Sequence, residues 1–142
     1  MRIMGIDLGE KNIGIAVSDE LGWTAQGLEI VRRQGSIEKD LDKIKAIAQQ
    51  YQVEKIVVGL PRNMNGTTGA QGQKALSFAD KIRRHLDLPV ETWDERLSTV
   101  AAERLLINAD VSRAKRRKVI DKLAASVILQ GYLDAQARVD KQ

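Results

Sequence analysis

The stretch "GIDLGEKNIGIAVSD", residues 5–19, sets one acid, Asp7, inside an apolar run and surrounds it with glycine. On an extended strand side chains alternate between faces, so Gly5, Asp7 and Gly9 share one side. Two of the three have no side chain, and Asp7 looks into a space that a ligand or a helix backbone can enter. Moving a carboxylate out of water costs several kcal/mol unless it is protonated, hydrogen-bonded or bound to a cation. Asp7 is thus either an acceptor for backbone N–H groups at a strand end or a residue that holds a ligand. The second half of the stretch alternates cleanly, with Ile13, Ile15 and Val17 on one face and Gly14, Ala16 and Ser18 on the other. Residues 9–12 then form a tight connection, which implies two antiparallel strands.

Working outward, a third strand is expected at 25–31, continuing an antiparallel meander. Ser36 caps a helix whose apolar residues fall at Ile37, Leu41, Ile44, Ala48 and Tyr51, a helical stripe. "EKIVVGLP", 54–61, reads as a buried strand stopped by Pro61. Because a whole helix precedes it, it can lie parallel to the first strand. Residues 61–72 are the longest irregular segment. A second helix follows with Leu76, Ala79, Ile82 and Leu86 on one face, and "PVETW", 89–93, supplies a fifth strand. Ser98 is the expected cap of a helix over 99–109. Beyond a basic loop, a long helix is expected over 119–139. No repeats, low-complexity tracts or interdomain linkers interrupt this order, so residues 1–142 read as one domain.

Composition narrows the chemistry. The chain is 43% hydrophobic and 30% charged, has no cysteine and carries one histidine, His85. Disulfides and thiolate metal sites are excluded, and any metal would sit on oxygen ligands, which favours Mg²⁺ or Mn²⁺. The sequence offers no long apolar h-region and no membrane span, so a cytoplasmic location is expected. The net charge of +4 is unevenly placed: residues 112–122, "SRAKRRKVIDK", hold six basic side chains and one acid, leaving the remainder at −1. A local cluster of this kind faces a polyanion more readily than it serves general solubility.

Two further acids belong with Asp7. On a helical wheel Ala124, Ala125, Ile128 and Tyr132 fall within about 60° of Asp121, which puts this acid inside an apolar arc. The helix dipole favours an acid in a first turn by about 0.3–1 kcal/mol, which accounts for its position along the helix but not for its face. "WDER", 93–96, lies at a strand end, where sites gather in open α/β sheets. Glu95 is expected on the face of Trp93 and Asp94 on the other; one can join Asp7 and Asp121 while Arg96 pairs with its neighbour. Three converging carboxylates repel one another, and divalent cations remove that penalty. Two such ions about 3.5–4 Å apart can activate water and stabilise the leaving oxygen of a phosphodiester.

"GIDLGEKNIGIAVSD", "VVGLPRNMNGTTG", "WDERLST" and "IDKLAASVILQGYL" together resemble the bacterial YqgF family, also called RuvX, nearly end to end. The resemblance implies an α/β, RNase H-like fold: a five-stranded mixed sheet of order 3-2-1-4-5 with helices on both faces. The family is described as Holliday-junction resolvases and as nucleases maturing the pre-16S rRNA end. Its metal-binding, catalytic acids carry over onto Asp7, Glu95 and Asp121. Better-known resolvases of the superfamily place an acid at the end of the fourth strand, where this chain has Gly59, Leu60 and Pro61, so Glu95 would substitute from the fifth.

For substrate, Arg113, Lys115, Arg116, Arg117 and Lys118 precede Asp121 and can hold phosphates. Asn63, Asn65 and Thr67 lie in a loop leading to a helix N-terminus, a second phosphate cradle that lacks nucleotide P-loop spacing. The second can equally be an ordinary long loop; for the first, a solvated basic loop is the lesser reading. Trp23 and Trp93 are expected in the core rather than stacked on bases, and His85 on a helix surface. The leading expectation is a metal-dependent endonuclease on structured RNA or branched DNA, as a monomer or homodimer. The alternative is a non-catalytic nucleic-acid-binding protein on ribosome precursors. "GIDLG" also resembles the first phosphate motif of actin-like ATPases and sugar kinases, which need two such domains.

Overall fold

The computed structural model describes residues 1–63, 65–97 and 113–140, with side chains in the last segment from 123 to 139. Strands β1 (Arg2–Leu8), β2 (Asn12–Ser18) and β3 (Ala25–Arg32) form the meander. Then come α1 (Ile37–Gln50), β4 (Val53–Leu60), α2 (Ala70–Leu86) and β5 (Val90–Asp94). A single 3₁₀ turn, Glu95–Leu97, ends β5, and α3 spans Arg113–Asp140. The sheet order is β3-β2-β1-β4-β5. β1 pairs antiparallel with β2, and β2 with β3, because short turns allow nothing else. β4 lies parallel to β1 and β5 parallel to β4, each reached through a helical crossover.

The alternation read from the sequence sorts the core into two layers. Met4, Ile6, Ile13, Ile15, Ile56 and Val58 pack beneath α1 and α2, against Ile44, Phe78 and Ile82. Ile3, Ala16 and Val57 face α3, against Ala125, Ile128, Leu129 and Tyr132. The α3 layer is the one lined by small residues, and Gly5 shows why. A Cβ there would lie 2.7 Å from Leu129 Cβ and 3.1 Å from the Ala125 carbonyl oxygen. Helix backbone occupies the space above that glycine.

Local signals hold where the chemistry is simple. Ser36 caps α1, its hydroxyl accepting from the Lys39 N–H at 3.4 Å. His85 sits at the surface end of α2, 2.7 Å from Asp42 Oδ1. Three expectations are corrected. Leu76 is 36% exposed: α2 buries Ala79 and Ile82 as read, with Ala75 and Phe78 in place of Leu76. Trp93 packs edge-on to Tyr132, but Trp23 is 70% exposed. Its turn is fixed by side-chain bonds to the backbone rather than by burial: Asp19 Oδ1 accepts from Trp23 N, and Gln130 Nε2 donates to the Trp23 carbonyl.

The third correction concerns the basic segment, which is helix rather than loop: α3 begins at Arg113 instead of 119. Arg, Ala and Lys are strong helix formers, and no glycine or proline stands between 113 and 121, so the charge run has no reason to break the helix. Asp121 is therefore in the third turn, beyond the reach of the dipole argument. The expected Ser98 cap and the 99–109 helix lie outside the described residues.

Candidate active site

Asp7 is the penultimate residue of β1, only 8% exposed, and pairs across the antiparallel ladder with Gly14. The parallel ladder runs Gly5 to Val57 and Ile6 to Val58, and one further step brings Gly59 beside Asp7. By the two-residue alternation Asp7 shares the α3 face with Gly5. Glu95 reaches the same face from the end of β5. Its Oε1 lies 3.0 Å from where a Cβ on Gly59 would stand, with Ile128 Cδ1 2.5 Å away on the other side. The structure thus brings Asp7 and Glu95 to one face, on either flank of a residue with no side chain. Neither carboxylate stands alone.

The side chain of Asp121 lies outside those described, as do those of Arg113, Lys115, Arg116, Arg117 and Lys118. The α3 backbone carries Asp121 one turn, about 6 Å, before Ala125, whose carbonyl covers Gly5. Among the described residues no group of three or more acids or histidines could hold a metal ion.

Asp94, the neighbour of Glu95, belongs to the scaffold. Arg96 Nη2 donates to its Oδ2 at 2.7 Å and the Arg96 N–H to its Oδ1 at 2.9 Å, while Arg62 Nε stands 3.8 Å away. The Arg96 bond holds the Asp94 carboxyl below its ordinary range, with Arg62 adding to the effect. This fork ties the end of β5 to the loop after β4 and fixes the 3₁₀ turn on which Glu95 begins. The pairing of Arg96 with the other acid follows the sequence reading; the part played by Arg62 does not.

The loop after β4 is braced by its own side chains. Asn63 Nδ2 donates to Thr67 Oγ1 at 2.9 Å, and Thr67 Oγ1 donates to Asn65 Oδ1 at 2.6 Å. Arg62 Nη1 donates to the Gly66 carbonyl. Asn63 and Thr67 spend these donors on the loop, and Asn65 Oδ1 accepts from Thr67.

A second support escaped the sequence reading. Arg33 Nε pairs with Asp40 at 3.2 Å, and its Nη1 donates to the Gly9 carbonyl at 3.1 Å. Asp40 is 2% exposed. The pair clamps the β1–β2 turn two residues after Asp7, and nothing in the periodicity of either segment announces it.

The architecture is an RNase H-like fold, as comparison with solved structures shows. The RuvC structure from T. thermophilus, solved in complex with a Holliday junction substrate, superposes with a TM-score of 0.60 at 16% identity, covering 97% of this chain and 96% of that one. The fowlpox virus Holliday junction resolvase gives 0.54 at 15% identity, covering 95% and 99%. At the level of sequence, the family model of RuvX, described as Holliday junction resolvase, matches residues 1–135, and the chain belongs to that family. A protein of Desulforamulus reducens named "Putative pre-16S rRNA nuclease" is 64% identical over 138 residues, covering 97% of this chain and all of that one. One of Symbiobacterium thermophilum with the same name is 62% identical, covering 96% and 94%.

Proposed function

We propose that this chain is a metal-dependent endonuclease that hydrolyses phosphodiester bonds in structured nucleic acid, with precursor 16S rRNA as its substrate. The observation that carries the reading is the placing of Asp7 and Glu95 about the bare Gly59 at the ends of β1, β4 and β5. The substrate assignment rests on the names of relatives up to 64% identical over nearly the full chain. The family description favours branched DNA as the second substrate class.

The donor set fits a hard divalent cation: carboxylate oxygens, and no thiol in the chain. Asp7, Glu95 and Asp121 would hold Mg²⁺ or Mn²⁺, which when bound neutralises phosphate charge and lowers the pKa of water. The protein's share is orientation. Burial of Asp7 and the fork on Asp94 preset the two carboxylates, and Arg113, Lys115, Arg116, Arg117 and Lys118 hold phosphates beside them. A four-way junction has twofold symmetry, so that substrate would call for a homodimer, whereas an rRNA end needs only a monomer.

One observation favours the non-catalytic alternative: β4 ends in Gly59 and Leu60 and is followed by Pro61, with no acid. No helix among the described residues is long and apolar enough to cross a membrane. The deciding experiment is Mg²⁺-dependent cleavage of precursor rRNA and of four-way DNA junctions by wild type and Asp7→Asn. The nearly isosteric variant should fold and lose at least about 100-fold in rate, the upper end of what supporting groups around a metal cost. Equal rates would leave only the binding protein.

A further inference from the structure

On the face of the sheet opposite α3, two open depressions of about 470 Å³ each meet at Arg33 and Ile37. The first has an apolar floor of Leu8, Ile37 and Phe78, rimmed by Lys74 and Lys81 from α2. The second is bordered by Lys11 and Arg32. Leu8 directly follows Asp7, so the floor and the candidate catalytic acid are successive residues pointing to opposite faces of one strand end.

The charge of this groove is one-sided. Lys11, Arg32, Arg33, Lys74 and Lys81 line it, against Glu10 and an Asp40 already engaged by Arg33. Arg33 is also pre-set. Held by Asp40 and by the Gly9 carbonyl, its guanidinium stands 5.9 Å over the Phe78 ring. A fixed guanidinium beside an apolar floor is a platform for a flat ring, and unstacked bases are read in this way in single-stranded nucleic acid. The cations at the rim suit the phosphates on either side of such a base. A duplex keeps its base faces stacked and has no use for the floor.

We propose that this groove binds an unpaired nucleotide flanking the cleaved phosphate, its base against Leu8, Ile37 and the Arg33 guanidinium that covers the buried Phe78 ring, and its phosphates on Lys74 and Lys81. The position of the cut relative to this nucleotide rests on the nuclease reading above; the binding itself does not.

The test is fluorescence anisotropy in EDTA, with the full chain and two probes: an RNA hairpin bearing a short single-stranded tail, and the same hairpin without it. The tail should tighten binding to the wild type. Lys74→Gln with Lys81→Gln removes two phosphate contacts. The dependence of log K on log salt for the tailed probe should then fall by about 1.4, and its affinity at about 0.1 M salt by about 25-fold. Ser77 is exposed at the groove, and Ser77→Trp should fill the floor and abolish the tail effect while leaving the salt dependence in place. The tailless hairpin should bind all variants alike. A tail that adds nothing to wild-type affinity, or variants that lose both probes equally, overturns the proposal. Equal cleavage by wild type and Asp7→Asn would instead strike the nuclease reading and leave the tail effect standing.

Discussion

Gly59→Ala separates the two things that this glycine is argued to do. The added Cβ would meet Ile128 Cδ1 at 2.5 Å, Ile128 Cγ1 at 3.3 Å and Glu95 Oε1 at 3.0 Å, where relaxed contacts lie at about 3.5–4.0 Å. Ile128 is fully buried and cannot swing into water. Overpacking of this kind costs about 1–3 kcal/mol. Alanine in a strand recovers about 0.5–1 kcal/mol of backbone entropy relative to glycine. The net expectation is a loss of up to about 2.5 kcal/mol in urea unfolding. Glu95 must also retreat by about half an ångström to reach ordinary contact. Since a 1 Å misplacement can cost about 100-fold, about tenfold in single-turnover cleavage is expected. Ile128→Val deletes the offending Cδ1 at a cost of its own of about 0.5–1.5 kcal/mol. In the double variant the stability losses should fall short of their sum by at least about 0.5 kcal/mol, while the cleavage defect persists, because Glu95 remains displaced. Full activity in Gly59→Ala, or strictly additive stability losses, would refute the placing of Glu95 and Ile128 about this residue.

Three further outcomes follow from the supports around the site. The Asp94 carboxyl is held below its ordinary value by Arg96, so its contribution to stability is present above the unfolded carboxylate pKa of about 4 and fades as pH falls through the lower folded value. Asp94→Asn should therefore be less stable than wild type at neutral pH, with the gap closing in acid; a gap of the same size in strong acid would contradict this. Asp40→Ala leaves Arg33 short of its buried partner and should cost about 3 kcal/mol in urea unfolding, the low end for a broken buried pair because the Arg33 side chain keeps 24% of its surface in water. Replacing Lys115 and Arg116 by glutamine should lower the salt dependence of single-stranded RNA binding by about 0.7 per lost phosphate contact, and an unchanged slope would remove that segment from the substrate path.

What the sequence revealed depended on how far apart the interacting parts lie. Strand direction followed from connection lengths, and strand order from the family resemblance: a three-residue turn forces β1 and β2 antiparallel, and an intervening α1 lets β4 lie parallel to β1. The glycines about Asp7 posed an alternative, ligand space or helix backbone, and at Gly5 the answer is the helix. Gly5 makes room for Ala125 and Leu129, whereas Gly59 borders the carboxylate of Glu95. A strand pattern cannot tell these apart, because it fixes the face of a residue and not what covers that face. Arg33 and Asp40 were illegible for a related reason. Their clamp joins the Gly9 carbonyl, 24 residues away, to a helix that had its own sufficient apolar stripe, so no period was left over to mark it.

The basic run at 113–118 shows the opposite failure, in which a signal was present and charge was allowed to outweigh propensity. Its residues are helix formers, and α3 takes them as such. This alters how the site can work. A basic loop adapts to its substrate and is ordered at an entropic cost; cations on a continuous helix are already set at fixed spacing, with those three and four residues apart sharing a face. Arg113, Arg116 and Arg117 are spaced in this way, and precede Asp121 by one to two turns on the same helix. A phosphate held there would be positioned relative to Asp121 by the helix itself, so a glycine pair replacing Arg117 and Lys118 should weaken cleavage more than glutamines at the same positions. Equal effects from the two replacements, in cleavage and in affinity, would show that charge alone matters there.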